Sequence, residues 1–284
     1  MALPATANQK IFSIIMPTYN CGQKIENTLQ SIFSQNEELF ELIVVDGAST
    51  DNTLEYLKKY QGNLTLISEK DGGIFHAFNK GIDLAAGKYL YFIGAGDCLQ
   101  PGILEQVKDF LPWDTPTLVY GNVYFTKQKR FDGREFSNFD FTWTNICHQG
   151  EFYHREIFDI IGKYDLKYKI LADWMLNLKC FLHREISERY IPLYIADYQE
   201  DGLSCDLNTD PAFKKDFPQF VKKELGIKAF IVCRAKMKNP NALYFSGSIA
   251  YGLFYETLGR HLISVARPFV RGFRTLKKTL TNSK

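Results

Sequence analysis

From residue 11 to residue 93 the chain alternates short apolar runs with amphipathic stretches. Ile11 to Met16 is nearly all apolar and rich in β-branched residues, the pattern of a strand covered on both faces. Pro17, Thr18, Tyr19 and Asn20 break it. Ile25, Leu29, Ile32 and Phe33 then recur at helical spacing and predict a helix with one apolar face. Leu42 to Val45 is a second buried strand, closed by Asp46 and Gly47. Ser49, Thr50 or Asp51 can cap the next helix, which turns Leu54 and Leu57 inward. Leu64 to Ile67 predicts a third strand, Ile74 to Ala86 a third helix and Tyr89 to Ile93 a fourth strand. Strands alternating with helices of this length make an α/β fold with a mostly parallel, doubly wound sheet.

This pattern has a chemical consequence. Parallel strands end on one edge of their sheet, and open α/β sheets bind ligands outside that edge. The polar residues Thr18, Tyr19, Asp46, Glu69 to Asp71 and Asp97 all follow strand ends, so they converge. Gly72 and Gly73 before the third helix, and Gly94, Ala95 and Gly96 before Asp97, let a bulky charged ligand approach the backbone. Asp97 therefore reads as the ligand of a divalent cation. The competing reading is a turn or helix-capping aspartate ahead of Pro101.

Past Asp97 the alternation stops. Pro101 can start a helix to Phe110, Thr117 to Phe125 reads as strand, and Lys127 to Trp143 as a hairpin or mobile loop. A helix after His154, a turn from Gly162 to Asp165, a helix from Ile170 with Asp173 near its start, and a strand from Tyr190 to Tyr198 complete the expected elements.

With 284 residues, 45% hydrophobic and 23% charged, the chain has the composition of a soluble globular protein. Six cysteines lack zinc or redox spacing, which points to free thiols in a reducing cytosol. No basic leader precedes the first apolar run, and the uncharged stretch from Asn239 to Tyr255 is too short for a convincing membrane span. The formal net charge of +2 hides an asymmetry, because ten Lys/Arg and one acid lie from Arg234 onward.

Four ordered motifs carry a resemblance: Ile14 to Asn20, Val44 to Thr53, Ser68 to Ile74 with Asn79 to Gly81, and Gly87 to Asp97. They resemble the inverting family 2 glycosyltransferases of GT-A fold, most of all the bacterial exopolysaccharide and colanic-acid-type branch. The resemblance implies a glycosyltransferase domain over 11–204, with a nucleotide-binding half (11–111) and an acceptor half (112–204). A tail (1–10) precedes it and a helical, basic extension (205–284) follows. It implies transfer from a nucleotide-diphosphate sugar, most plausibly a UDP-sugar, to a polysaccharide or polyprenyl-linked acceptor, assisted by Mg²⁺ or Mn²⁺.

By the same resemblance, Pro17, Thr18, Tyr19 and Asn20 form the base-binding turn, Thr18 and Tyr19 line the base, and Asp46 accepts a hydrogen bond from it. Asp71 and Gly73 lie near the ribose or donor sugar. Gly96 and Asp97 belong to the DXD-like motif, with Asp97 on the metal, and Asp173 is the general base. Two departures stand out. Gly94, Ala95 and Gly96 replace the usual preceding acid, and His76 stands where Asp is common. Some residues keep two readings: Lys80 reaches a phosphate or is a solvated helix lysine, and His148 is structural or touches the diphosphate, metal or acceptor. Trp174 joins His148 as an acceptor or diphosphate contact. His76 and His154 read as structural or surface residues.

In the extension, Leu258, Leu262, Val265, Phe269, Phe273, Leu276 and Leu280 form a stripe among Arg260, Arg267, Arg271, Arg274, Lys277 and Lys278, interrupted at Pro268. This suits an in-plane helix on an anionic membrane, or a helix packed on the main domain. The expected location is the cytoplasm, peripheral to the inner membrane face. A nucleotidyltransferase is disfavoured because the first loop is not rich in Gly and Arg, and an oxidoreductase because no Gly-x-Gly-x-x-Gly follows the first strand. A scaffold with a decayed site stays open. No nucleic-acid reader motif accompanies the basic tail.

Overall fold

The computed structural model describes residues 10–200 and 210–238. The first four strands are β1 (Phe12–Thr18), β2 (Phe40–Asp46), β3 (Thr65–Ser68) and β4 (Tyr89–Phe92), joined by α1 (Lys24–Phe33), α2 (Thr53–Lys58) and α3 (Ile74–Leu84). They lie parallel in the order β3-β2-β1-β4. The alternation of β1 sorts its side chains between two layers. Phe12, Ile14 and Met16 join one apolar cluster with Ile25, Leu29 and Ile32 of α1. Ile15 faces α3, and it sits so close that a Cβ on Gly81 would fall 2.3 Å from its Cγ2. Helices thus cover both faces of the inner strands, which is why β1, β2 and β4 are largely apolar, while β3 at the sheet edge stays mostly exposed.

Beyond β4 come β5 (Cys98–Leu99), α4 (Ile103–Lys108), β6 (Thr117–Phe125), β7 (Arg130–Asp132), β8 (Glu151–His154), α5 (Glu156–Ile161), α6 (Ala172–Leu182) and β9 (Ser187–Tyr198). The sheet continues β4-β8-β6-β9-β5, with β7 hairpinned onto β6. Here it is mixed: β8 runs antiparallel to β4 and β6, β6 is parallel to β9, and β5 is antiparallel to β9. The expectation of a mostly parallel sheet therefore describes the first half. In the second half no α-helix separates β6 from β8, so β8 can return antiparallel to β6.

α7 (Pro211–Lys238) is broken at Gly226, whose φ is 85°. Its first turns pack inward: Phe213 and Phe217 stack at 4.4 Å and both meet Trp174. Asp210, buried just before it, accepts backbone N–H bonds from Ile170, Leu171 and Phe213. The first compact unit thus runs to Phe230, past the expected boundary at 204, and a second unit starts at Ile231. The apolar stripe from Leu258 to Leu280 lies outside the described residues. Among the described residues no helix is long and apolar enough to cross a membrane, and the five cysteines are free thiols.

Candidate active site

The strand ends converge on one edge. In the register of β1 and β2, Thr18 pairs with Asp46, and Asp46 pairs with Ser68 of β3. Asp46 is fully buried, and its carboxylate ties three segments together. It accepts from Thr18 Oγ1 (3.0 Å), Ser49 N (2.9 Å), Ser49 Oγ (2.5 Å) and Ser68 Oγ (2.7 Å). Burial pushes its pKa up, but the bonds from Ser49, Ser68 and Thr18 outweigh that and hold it below the ordinary carboxylate range. Protein donors thus occupy both oxygens, and a hydrogen bond from a base would need one of them to give way.

Asp46 leads into a turn in which Ala48 holds φ at 63°, facing Asn20 at 48°. Asn20 accepts from Thr50 N with Oδ1 and donates its own N–H to Ser49 Oγ, so the two loops lock together. The N-cap of α2 is Asn52, with no side-chain cap bond; Asp51, one residue before it, accepts from Thr53 N and Oγ1. Ser49 is committed to Asp46 instead. Tyr19 projects from this lock with 65% of its surface exposed. Gly47 lies between it and Asp71: a Cβ there would come within 3.3 Å of both Tyr19 Cδ2 and Asp71 Oδ2. Asp71 also accepts from Gly73 N, whose φ of 115° opens α3. His76 accepts from Gly72 N through Nδ1, and Lys80 is ion-paired to Glu69 at 2.8 Å. Lys80 is therefore anchored at this edge by an acid.

Asp97 stands in the turn between β4 and β5, 4% exposed. Gln149 Nε2 donates to its Oδ2 (2.7 Å) and Gln199 N to its Oδ1 (2.8 Å). Burial overcomes these donors and lifts its pKa to about 6. α1 and the residue just past its cap fix the turn: Thr28 Oγ1 accepts from Gly96 N, Ser31 Oγ from Leu99 N, and Gln35 Nε2 donates to Gln100 O. Gly96 has φ 109°, and a Cβ on Gly94 would sit 2.9 Å from Asp97 Oδ2. Of the two positions before Asp97 where the usual acid stands, Gly96 would strain any side chain at its φ of 109°, whereas Ala95 already carries a Cβ.

Asp173 lies in the first turn of α6. Its Oδ2 accepts from Asn145 Nδ2 at 3.0 Å, while Oδ1 is shielded from water and has no partner. Burial, only partly offset by its backbone N–H bonds and Asn145, raises its pKa to about 7. Asn145 and Gln149 bond the two carboxylates from one short segment, so their Cα atoms are at most about 14 Å apart. His148, between them, has a shielded and unpartnered Nε2, and burial lowers its pKa to about 4, leaving it neutral. Trp174 points elsewhere. It is 4% exposed, donates from its indole to Phe141 O and packs on Phe213 and Phe217, a core position that closes its ring to an acceptor.

The motif reading did not single out Gln149, Gln199, Asn145 or Asn177 for a role. Asn177 carried a signal, lying four residues after Asp173 on the same helix face. Gln199 contributes a backbone N–H, which no side-chain pattern reveals.

The sequence model of glycosyl transferase family 2 matches residues 13–171, a span that includes the Asp46 knot, the Asp97 turn and Gln149. A "PGL/p-HBAD biosynthesis glycosyltransferase" of Mycobacterium bovis is 38% identical over 229 residues, covering 78% of this chain and 89% of that protein. Among solved structures, Staphylococcus aureus TarS 1-349 in complex with UDP-GlcNAc shares the fold at a TM-score of 0.63 and 19% identity, covering 86% of this chain and 75% of TarS 1-349. The mannosyltransferase PcManGT of Pyrobaculum calidifontis, in complex with GDP-Man and Mn²⁺, gives 0.58 at 17% identity, covering 97% and 85%. The chain belongs to glycosyl transferase family 2.

Proposed function

We propose that this glycosyltransferase takes a sugar from a nucleotide-diphosphate donor, a UDP-sugar first among them, and passes it with inversion to a hydroxyl of a polysaccharide or lipid-linked glycan. The observation that carries this reading is Asp173: a buried carboxylate raised to about 7, with one oxygen unpartnered, bonded through the segment that also clasps Asp97. A group that titrates near working pH suits general-base catalysis.

Asp97 fits a divalent cation as one ligand. Its buried carboxylate meets two neutral donors and no counter-charge, although the described residues hold no group of three or more His, Cys, Asp or Glu. Diphosphate oxygens and water would complete the shell, as magnesium tolerates. When bound, the cation neutralises charge on the leaving diphosphate. The solved neighbours with UDP-GlcNAc and with GDP-Man and Mn²⁺ support this choice of donor class and metal.

The remaining steps fall to the chain's own side chains. Tyr19 offers an exposed ring to the base, with Gly47 and Asp71 forming the floor beside it. Asp46 holds the β1, β2 and β3 ends in register rather than reaching outward. Asp173 Oδ1 takes the acceptor hydroxyl proton as that oxygen attacks the anomeric carbon from the face opposite the diphosphate, which inverts the configuration. The basic sequence beyond residue 239 supports docking at an anionic membrane on the cytoplasmic face, beside a lipid-linked acceptor. Flotation of full-length and truncated protein with anionic liposomes tests that part.

The main reading is tested with Asp173→Asn. Transfer falls by about 10²-fold or more, the scale of a lost general base, while binding of UDP with Mn²⁺ is unchanged. Undiminished transfer in Asp173→Asn removes that residue from the base role.

A further inference from the structure

Behind Asp173 lies a second carboxyl group that the proposed reaction does not use. Glu151, on β8, is fully buried beside Tyr153 and Asn177, which are buried with it. Among the described residues it makes no ion pair with any Lys, Arg or His. Its Oε2 lies 2.7 Å from Tyr153 Oη and its Oε1 2.5 Å from Asn177 Nδ2. Tyr153 Oη also lies 2.5 Å from Asn177 Oδ1, and Asn177 Nδ2 lies 3.0 Å from Asn145 Oδ1. Asn145 Nδ2 then donates to Asp173. A continuous chain of side chains thus runs from Glu151 through Asn177 and Asn145 to the carboxylate of Asp173.

Counting protons shows what state this chain needs. A phenol has one proton, yet Tyr153 Oη faces two acceptors, Glu151 Oε2 and Asn177 Oδ1. Both contacts become hydrogen bonds if Tyr153 donates to Asn177 and a protonated Glu151 donates to Tyr153. Reversing the Asn177 amide does not remove the requirement. Its oxygen would then face Glu151 Oε1 at 2.5 Å, and Glu151 would again have to supply a proton. The polarity is selected at the far end. An ionised Asp173 accepts from Asn145 Nδ2, which turns Asn145 Oδ1 toward Asn177 Nδ2 and sets every link behind it.

We propose that Glu151 is kept as a neutral acid and, through Asn177 and Asn145, holds the Asp173 carboxylate with Oδ1 turned toward the acceptor. Glu151 touches no substrate and is a positioning residue. The inference rests on the reading of Asp173 as the base. The surroundings agree with a neutral acid. Burial raises the Glu151 pKa well above the ordinary carboxylate range, and the charge of Asp173 on α6 adds to this against the lowering bonds from Tyr153 and Asn177. The other ionisable groups that face it are Tyr153 on β8, Cys180 on α6, Tyr164 in the segment after α5, and Cys147. Burial pushes all four upward, so they stay neutral and supply no counter-charge. A buried neutral acid with both oxygens bonded costs far less than a buried unpaired carboxylate.

The test compares Glu151→Gln with Glu151→Leu in the full chain. Glutamine copies the neutral acid, since its oxygen accepts from Asn177 and its amide donates to Tyr153. Leucine removes both bonds. The readout is Mn²⁺-dependent hydrolysis of the donor turned over fastest in a panel of UDP-, GDP- and dTDP-sugars, followed against pH. Glu151→Gln is expected to keep kcat within about twofold and to keep the acidic limb in place. Glu151→Leu is expected to lower kcat by about 10- to 100-fold with donor KM unchanged, the scale of a misaligned reacting group.

Infrared difference spectra on the wild-type protein give a readout independent of turnover and of how Glu151→Leu folds. A carboxylic-acid carbonyl band that persists across neutral pH and vanishes in Glu151→Gln is expected. Equal losses in Glu151→Gln and Glu151→Leu, or no such band, overturn the proposal. So does a Glu151→Leu protein with wild-type kcat and pH profile. Asp173→Asn run in parallel separates the two claims. If it stays active the base assignment fails, while the infrared band still decides the state of Glu151.

Discussion

Replacing Asn145 with alanine removes the side-chain hydrogen bond that Asp173 accepts among the described residues, and the consequence is a shift along the pH axis. Asp173 is already lifted to about 7 by burial, with Asn145 among the groups pulling it back. A hydrogen bond to a charged acceptor contributes about 1.5–3 kcal/mol. One pKa unit corresponds to about 1.4 kcal/mol, so losing the bond outright raises the pKa by about one to two units. Water admitted beside the truncated side chain replaces part of it, which makes about one unit the expected shift. Only the ionised carboxylate accepts a proton, so activity is lost as pH falls through the folded pKa. At pH 7 the ionised fraction drops from about one half to about one tenth, and kcat falls about fivefold. Raising the pH restores it. The assay is kcat against pH for wild type and Asn145→Ala with one donor. A uniform loss at every pH, with the limb unmoved, refutes Asn145 as a determinant of the Asp173 pKa.

Two further outcomes follow from the strand-end geometry. Gly96→Asp, which restores an acid to the DXD-like motif, should destabilise the fold by about 1–3 kcal/mol because of the φ of 109° there, and should not tighten Mn²⁺ binding; thermal unfolding and calorimetry check both. Ser68→Ala should cost about 1–3 kcal/mol at neutral pH by removing one donor from buried Asp46. Because the folded pKa of Asp46 is depressed, its contribution is present above the ordinary carboxylate range and lost as pH falls through the folded value. The gap between variant and wild type should therefore close in acid, as denaturant titrations at several pH values would show.

The edge formed by the ends of β1 to β4 was legible in the sequence because its physics is local. Continuous apolar runs fix buried parallel strands, and a polar residue just past each run must lie on the shared edge. The sequence pattern therefore puts Thr18, Asp46 and Asp97 after strands that run parallel and end on one edge. It could not show that the lone pairs of Asp46 are already taken by Thr18, Ser49 and Ser68, since those bonds depend on the register of three strands. The segment beyond Asp97 was harder to read. Trp174 and Asp173 are adjacent in sequence, but the first turn of α6 sends one into the core and the other to Asn145. The chain from Glu151 to Asp173 joins residues from a strand, an aperiodic loop and a helix, with separations of up to 32 residues. No period in the sequence encodes such a path.

The most direct test of the central claim, that the strand ends grip a diphosphate through a cation on Asp97, is calorimetry of UDP binding with and without Mn²⁺, in wild type and in Asp97→Asn. Saturable binding that needs Mn²⁺ in wild type and is lost in Asp97→Asn is the expected result. Binding of equal strength without Mn²⁺, or unchanged Mn²⁺-dependent binding in Asp97→Asn, would contradict it.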